Sequence, residues 1–194
     1  LNIFRPADLI ETFECWQLAL ENKDCPSVIA LTRQGINPVR TKNSSKNESS
    51  AGAYEVLRTG NDITVVSYGS TFNLCEQAAD ILADMNVSCE LIDVQTLLPF
   101  DINHMIVNSL KKTNKIIFID EDVPGGATSF MLNEVINVQK GYYHLDAQPI
   151  TLTAKEHRPA YGSDGDYFSK PNVDDIIDAI YGIMHEYNPT SYPS

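Results

Sequence analysis

Between residues 62 and 126 the chain alternates compact apolar runs with stretches whose apolar positions recur every three or four residues. The runs predict strands over 63–69, 89–95 and 115–121. The periodic stretches predict helices from Ser70-Thr71 to about 85 and over 102–112. The first of these helices carries Leu74, Cys75, Ala78, Ala79, Leu82 and Met85 on one face, a packing stripe. Asp101, after the apolar loop 97–100, is positioned to cap the second. Beyond Gly125-Gly126 an amphipathic helix is expected to about 139, closed by Gly141. A fourth strand over 150–153, an irregular segment over 157–171 rich in Tyr, Gly, Asp and Pro, and a last helix over 173–187 follow. That helix turns Ile176, Ile177, Ile180 and Met184 inward. Strands alternating with helices of this length predict an α/β fold, a three-layer α/β/α arrangement around a mostly parallel sheet.

Upstream the pattern changes. A helix over 6–22 starts with Pro6 and early acids, and Leu9, Phe13, Trp16 and Leu20 have the spacing of one buried face. A short apolar strand is expected over 27–32. A helix and one strand cannot enclose a core, so this piece must dock on the rest of the chain or on a domain outside it. Residues 35–50 are polar and aperiodic, a linker, and 53–57 form an entry strand. Asn43 and Asn47 match the glycosylation sequon but are discounted, because no secretory signal pattern is present. The chain opens at Leu1 in mid-pattern, as expected of a piece of a longer polypeptide.

Charge narrows the function classes. Of 194 residues, the first fifty balance six bases against six acids. The remaining eight bases and twenty acids therefore carry the whole net charge of −12. Such a surface repels phosphate backbones, which argues against nucleic acid, and suits either solubility or a basic protein partner. No apolar run approaches the ~20 residues that span a bilayer, so no membrane role is expected. The four cysteines lack metal or redox spacing and read as reduced residues of a cytoplasmic protein.

Candidate chemistry is sparse. Tyr68-Gly-Ser-Thr71 joins a strand to a helix, where free backbone N–H groups can hold an anion or simply accept a cap. Asp120-Glu121-Asp122 falls at the carboxyl end of a parallel strand, the usual location of sites in open α/β sheets. Strand alternation keeps all three from converging, which leaves Glu121 as the candidate carboxylate, with loop hydrogen bonding as the alternative. His157, beside Arg158 and the irregular 161–168 segment, is the histidine best placed at a mouth or interface. Arg33, after an apolar run, could bind phosphate or carboxylate bidentately or close a salt bridge. No metal-ligand spacing and no nucleophile–His–Asp set can be assembled, so no catalytic or metal residue is assigned.

Two blocks resemble the thiamine-diphosphate enzyme superfamily. The first, Phe4-Arg-Pro-Ala-Asp8 with 18–22 and Ile29-Ala-Leu-Thr-Arg-Gln34, is similar to the end of the pyrimidine-binding domain of transketolase. The second comprises Ile63–Ser70, Ile92-Asp-Val-Gln-Thr-Leu-Leu-Pro-Phe-Asp101, 111–126, Arg158-Pro-Ala-Tyr-Gly162 and 167–175. It resembles the C-terminal domain of the beta chain of 2-oxo-acid dehydrogenases. The resemblance implies a fragment of a pyrimidine-binding domain over 1–34, a linker over 35–52 and a transketolase C-terminal-like domain over 53–194. It implies an enzyme that uses thiamine diphosphate and Mg²⁺ to decarboxylate a 2-oxo acid, 2-oxoisovalerate or pyruvate, and to pass the acyl group to a lipoyl carrier. The C-terminal domain's implied role is dimerisation, as homo- or hetero-oligomer, and docking to a dihydrolipoyl acyltransferase core. The residues that activate the cofactor and bind its diphosphate fall outside the matching blocks, so this piece is expected to be inactive alone. In transketolase the Arg of Thr-Arg-Gln contacts the sugar phosphate, which maps onto Arg33. That keeps open the C-terminal part of a transketolase or related sugar-phosphate synthase. A non-catalytic partner-binding domain is the third possibility.

Overall fold

In the computed structural model the described residues are 1–32, 35, 51–158, 161–162 and 165–193. The first piece is β1 (Asn2–Phe4), α1 (Leu9–Glu21) and β2 (Ser27–Ile29). Asp8 caps α1, its carboxylate accepting the Glu11 N–H at 2.8 Å. The expected buried stripe is uncovered: Leu9, Phe13, Trp16 and Leu20 are 84, 71, 51 and 73% exposed. The periodicity is real, but α1 turns its other face inward, burying Glu11 and Cys15. Glu11 is held there by hydrogen bonds, its carboxylate accepting from the Ala7 N–H (2.6 Å) and Gln95 Nε2 (3.1 Å). The described residues leave this apolar stripe uncovered.

The second piece runs β3 (Glu55–Arg58), β4 (Ile63–Ser67), α2 (Ser70–Asp84), β5 (Cys89–Asp93), β6 (Thr96–Leu98), α3 (Met105–Thr113) and β7 (Ile116–Ile119). It continues with α4 (Ala127–Leu132), prolonged as a π-helical turn Asn133–Val138, then β8 (Ile150–Leu152), α5 (Gly165–Ser169) and α6 (Val173–Tyr187). Five strands form the main sheet in the order β3-β5-β4-β7-β8, parallel except for the antiparallel edge strand β3. Side chains alternate along its strands. Ile63 and Val65 face Phe72, Leu82 and Ile180, from α2 and α6, in one core. Val66 and Phe118 face Ile106, Leu110 and Val135, from α3 and the α4 helix, in the other. This is the three-layer α/β/α sandwich expected from the sequence.

The strand read as 89–95 ends at Asp93. Val94 and Gln95 connect it to β6, which lies outside the main sheet and pairs antiparallel with β1, giving a second sheet ordered β2-β1-β6. The N-terminal piece thus docks on this chain through β1, leaving the outer edge of β2 without a strand partner among the described residues. Asp101 caps α3 as expected, accepting the Met105 N–H at 2.8 Å and the Ile106 N–H at 3.2 Å. Among the described residues, no helix is long and apolar enough to cross a membrane.

Candidate functional site

From β4 the chain crosses through α2 to β5 on one side. From β7 it crosses through α4 to β8 on the other. The loops leaving β4 and β7 therefore diverge, and a crevice opens at their carboxyl ends. Tyr68 and Gly69 follow β4, and Asp120, Glu121 and Asp122 follow β7. Arg5 enters from β1, its N–H donating to the Gln95 carbonyl at 2.7 Å, and Lys170 enters just after α5. Gly69, at φ +59°, makes the sharp turn into α2, and a Cβ there would lie 3.6 Å from an Arg5 Nη.

Within this cleft of about 430 Å³ the Tyr68 hydroxyl donates to Asp120 Oδ2, and Asp120 Oδ1 accepts the Glu121 N–H at 2.7 Å. Both side chains are buried. Burial pushes the Tyr68 phenol up, and the charge of Asp120 adds to this. Burial likewise raises the Asp120 carboxyl, against the pull of its two hydrogen bonds. The tyrosine therefore stays protonated and serves as a donor. Glu121 Oε2 pairs with Lys170 Nζ at 3.1 Å, and Asp166 lies 3.9 Å from the same ammonium. The Arg5 guanidinium sits 4.9 Å from the Tyr68 ring centroid, with its Nε buried and lacking an acceptor. A second hollow of about 350 Å³ adjoins, sharing Glu121 and Lys170 and reaching Ser70, Asn73 and Tyr167.

The hydrogen bonds of the cleft pair its side chains with one another. Its tyrosine and aspartate satisfy each other, and among the described residues no three His, Cys, Asp or Glu side chains could hold a metal ion. A Mg²⁺–diphosphate group needs metal ligands and a surplus of positive charge, whereas this cleft sets two cations against three carboxylates. The residues present do not fit that group.

Of the residues singled out from sequence, Glu121 lines both hollows. His157 lies outside them, exposed, its ring centroid 5.8 Å from that of Phe168 and its Nδ1 2.9 Å from the Arg158 carbonyl. Arg33 lies outside the described residues. His185, on α6, is half-buried and its Nδ1 lies 2.7 Å from the Tyr192 carbonyl. Sequence reasoning missed Arg5 and Lys170, which come from segments far apart in the chain. The one usable signal was that each sits beside a proline at the end of an element.

Residues 52–175 match the family of the transketolase C-terminal domain. The transketolase of Sinorhizobium medicae is 37% identical over 108 residues, which cover 54% of this chain and 16% of that protein. The pyruvate dehydrogenase E1 component subunit beta of Rhizobium meliloti is 27% identical over 135 residues, 70% of this chain and 29% of that subunit. The same subunit of Acholeplasma laidlawii is 33% identical over 125 residues, 61% of this chain and 38% of that one. This chain thus spans well under half the length of the curated relatives it matches. A solved split-gene transketolase, described as an inactive beta4 tetramer, shares the fold with a TM-score of 0.80 at 20% identity, over 96% of this chain and 58% of that one. With the three-layer sheet, its β4–β7 crevice and a family match over most of its length, the chain belongs to the transketolase C-terminal domain family of the thiamine-diphosphate enzyme superfamily.

Proposed function

We propose that this chain is the C-terminal part of the beta-type component of a 2-oxo-acid dehydrogenase, of the 2-oxoisovalerate or pyruvate type. Residues 53–194 serve dimerisation and docking to a dihydrolipoyl acyltransferase core. Residues 1–34 end a pyrimidine-binding domain, joined by a linker over 35–52. The observation that carries this reading is the uncovered face of α1 beside the open edge of β2. Contiguous apolar surface of that kind marks an interface. A helix flank and a sheet edge left bare together are what remains when a larger α/β domain is cut near its end. Relatives named pyruvate dehydrogenase subunit beta align over up to 70% of the chain, against 54% for the Sinorhizobium transketolase, which favours the dehydrogenase. Bound thiamine diphosphate would supply the electron sink for decarboxylation from the upstream domains. This chain's own residues contribute packing and docking, in a cytoplasmic enzyme.

The test is calorimetric titration of thiamine diphosphate with Mg²⁺ into this chain and into the assembly that includes the upstream domains. Tight binding by the assembly and none by the chain is expected; binding by the chain alone would overturn the reading. Phe13→Asp with Trp16→Asp should leave this chain folded and abolish its association with the upstream domains. A transketolase is the second reading, favoured by the 37% identity of the Sinorhizobium protein and by Arg33 in Thr-Arg-Gln. Turnover of sugar phosphates by the assembly, in place of lipoyl-dependent decarboxylation of 2-oxo acids, would establish it.

A further inference from the structure

We infer that the cleft at the carboxyl ends of β4 and β7 binds a small amino-acid zwitterion, its carboxylate on Arg5 and its ammonium on Asp122. Four of the six charged or phenolic groups there already satisfy one another. Tyr68 bonds to Asp120, which also accepts the Glu121 N–H, and Glu121 pairs with Lys170. Arg5, which lies in the field of Asp120, and the solvent-exposed Asp122 keep hydrogen-bonding capacity for a ligand. Arg5 makes no ion pair among the described residues, and its buried Nε has no acceptor. A donor held out of water without a partner is costly, and a carboxylate answers it with a charge-assisted bond. Asp122 spends Oδ1 on the Val123 N–H at 2.8 Å, while Oδ2 has no hydrogen bond among the described residues. A Cβ on Gly126 would lie 2.6 Å from that Oδ2, so the glycine leaves the carboxylate its room.

Arg5, with its buried Nε lacking an acceptor, and the exposed Asp122 carboxylate present one cation and one anion to the cleft, and the complement of that pair is a molecule carrying both charges. A phosphate ester would meet Arg5 but be repelled by Asp120, Glu121 and Asp122, and a simple amine would leave Arg5 unanswered. The volume of about 430 Å³ suits a small molecule. Arg5 comes from the N-terminal piece and Asp122 from the main sheet, so the ligand would also clamp the two together.

Calorimetry on the full chain tests this with glycine, β-alanine, 4-aminobutyrate and 6-aminohexanoate as probes, and with propionate and propylammonium as single-charge controls. The best amino acid should bind at least about tenfold more tightly than either control and raise the melting temperature. Arg5→Met and Asp122→Asn, each verified as folded by circular dichroism, should each weaken it at least about tenfold. Propionate binding as tightly as the amino acids would overturn the inference in favour of a plain anion site. Absence of binding across the series, or affinity unchanged in both variants, would overturn it outright.

Discussion

Replacing Tyr68 with phenylalanine removes one oxygen and leaves Asp120 Oδ2 buried without its donor, because both residues are almost wholly enclosed. Ring packing is kept, so the change isolates the hydrogen bond. A bond to a charged group is worth about 1.5–3 kcal/mol, and Tyr68→Phe should cost about that much at neutral pH. The cost must depend on pH. Burial holds the Asp120 carboxyl above its unfolded value of about 3.9. Between those two values the folded state binds more protons than the unfolded state, so this group's contribution falls as pH rises through the window. Without the phenol the folded value climbs further, and the Tyr68→Phe penalty grows with pH until Asp120 is ionised in the variant as well. Asp120→Asn abolishes the titration, and in that background the tyrosine should be worth only about 0.5–1.5 kcal/mol, as for a neutral bond. Urea unfolding of the four proteins of this cycle at about pH 5 and about pH 8 measures the coupling. A coupling under about 0.3 kcal/mol, within the range of independent sites, would refute the reasoning.

Other outcomes follow from single contacts. Gly60→Ala would place a Cβ 2.2 Å from the Cys89 carbonyl carbon, against backbone that cannot yield. It should destabilise by about 3 kcal/mol or more in chemical denaturation. Burial raises the Glu90 carboxyl, but its bonds from Lys112, Ser109 and the Gly60 N–H outweigh this and hold it low. Its stabilisation is therefore present above the unfolded value and lost as pH falls through the folded one. Lys112→Met should move the acid-unfolding midpoint to higher pH, followed by circular dichroism. Burial pushes the Cys75 and Cys89 thiols up to about 12, and Cys15 is also buried. A thiol reagent should therefore label Cys25 in the native chain and all four cysteines in denaturant.

Much of the main sheet is legible in the sequence because β4, β5 and β7 are buried on both faces and read as compact, largely apolar runs. Helix α6 is legible to the residue, since Asn172 and Asp175 form a reciprocal capping box at its start. Strand β6 was not, because three residues of an apolar loop look alike whether or not a distant strand pairs with them. Periodicity showed that α1 has an apolar stripe, yet it could not say which partner covers it; the buried Glu11 on the opposite face gave no warning. Of the site, Glu121 was found because strand ends are places to look. Arg5 and Lys170 were not, because their approach depends on β1 crossing to β6 and on the chain returning after α5, and neither is a local property.

The β1–β6 pairing separates the covalent boundary of the N-terminal piece from its structural one. Cutting the chain anywhere between residues 36 and 50 would sever the connection in sequence but leave β1 hydrogen-bonded to β6 and Glu11 still accepting from Gln95. A protease acting there would yield a nicked complex, with two peptides on a denaturing gel and one species by size exclusion. Truncation at residue 51 would strip β6 of its neighbour and bare a strand edge, inviting association with another chain.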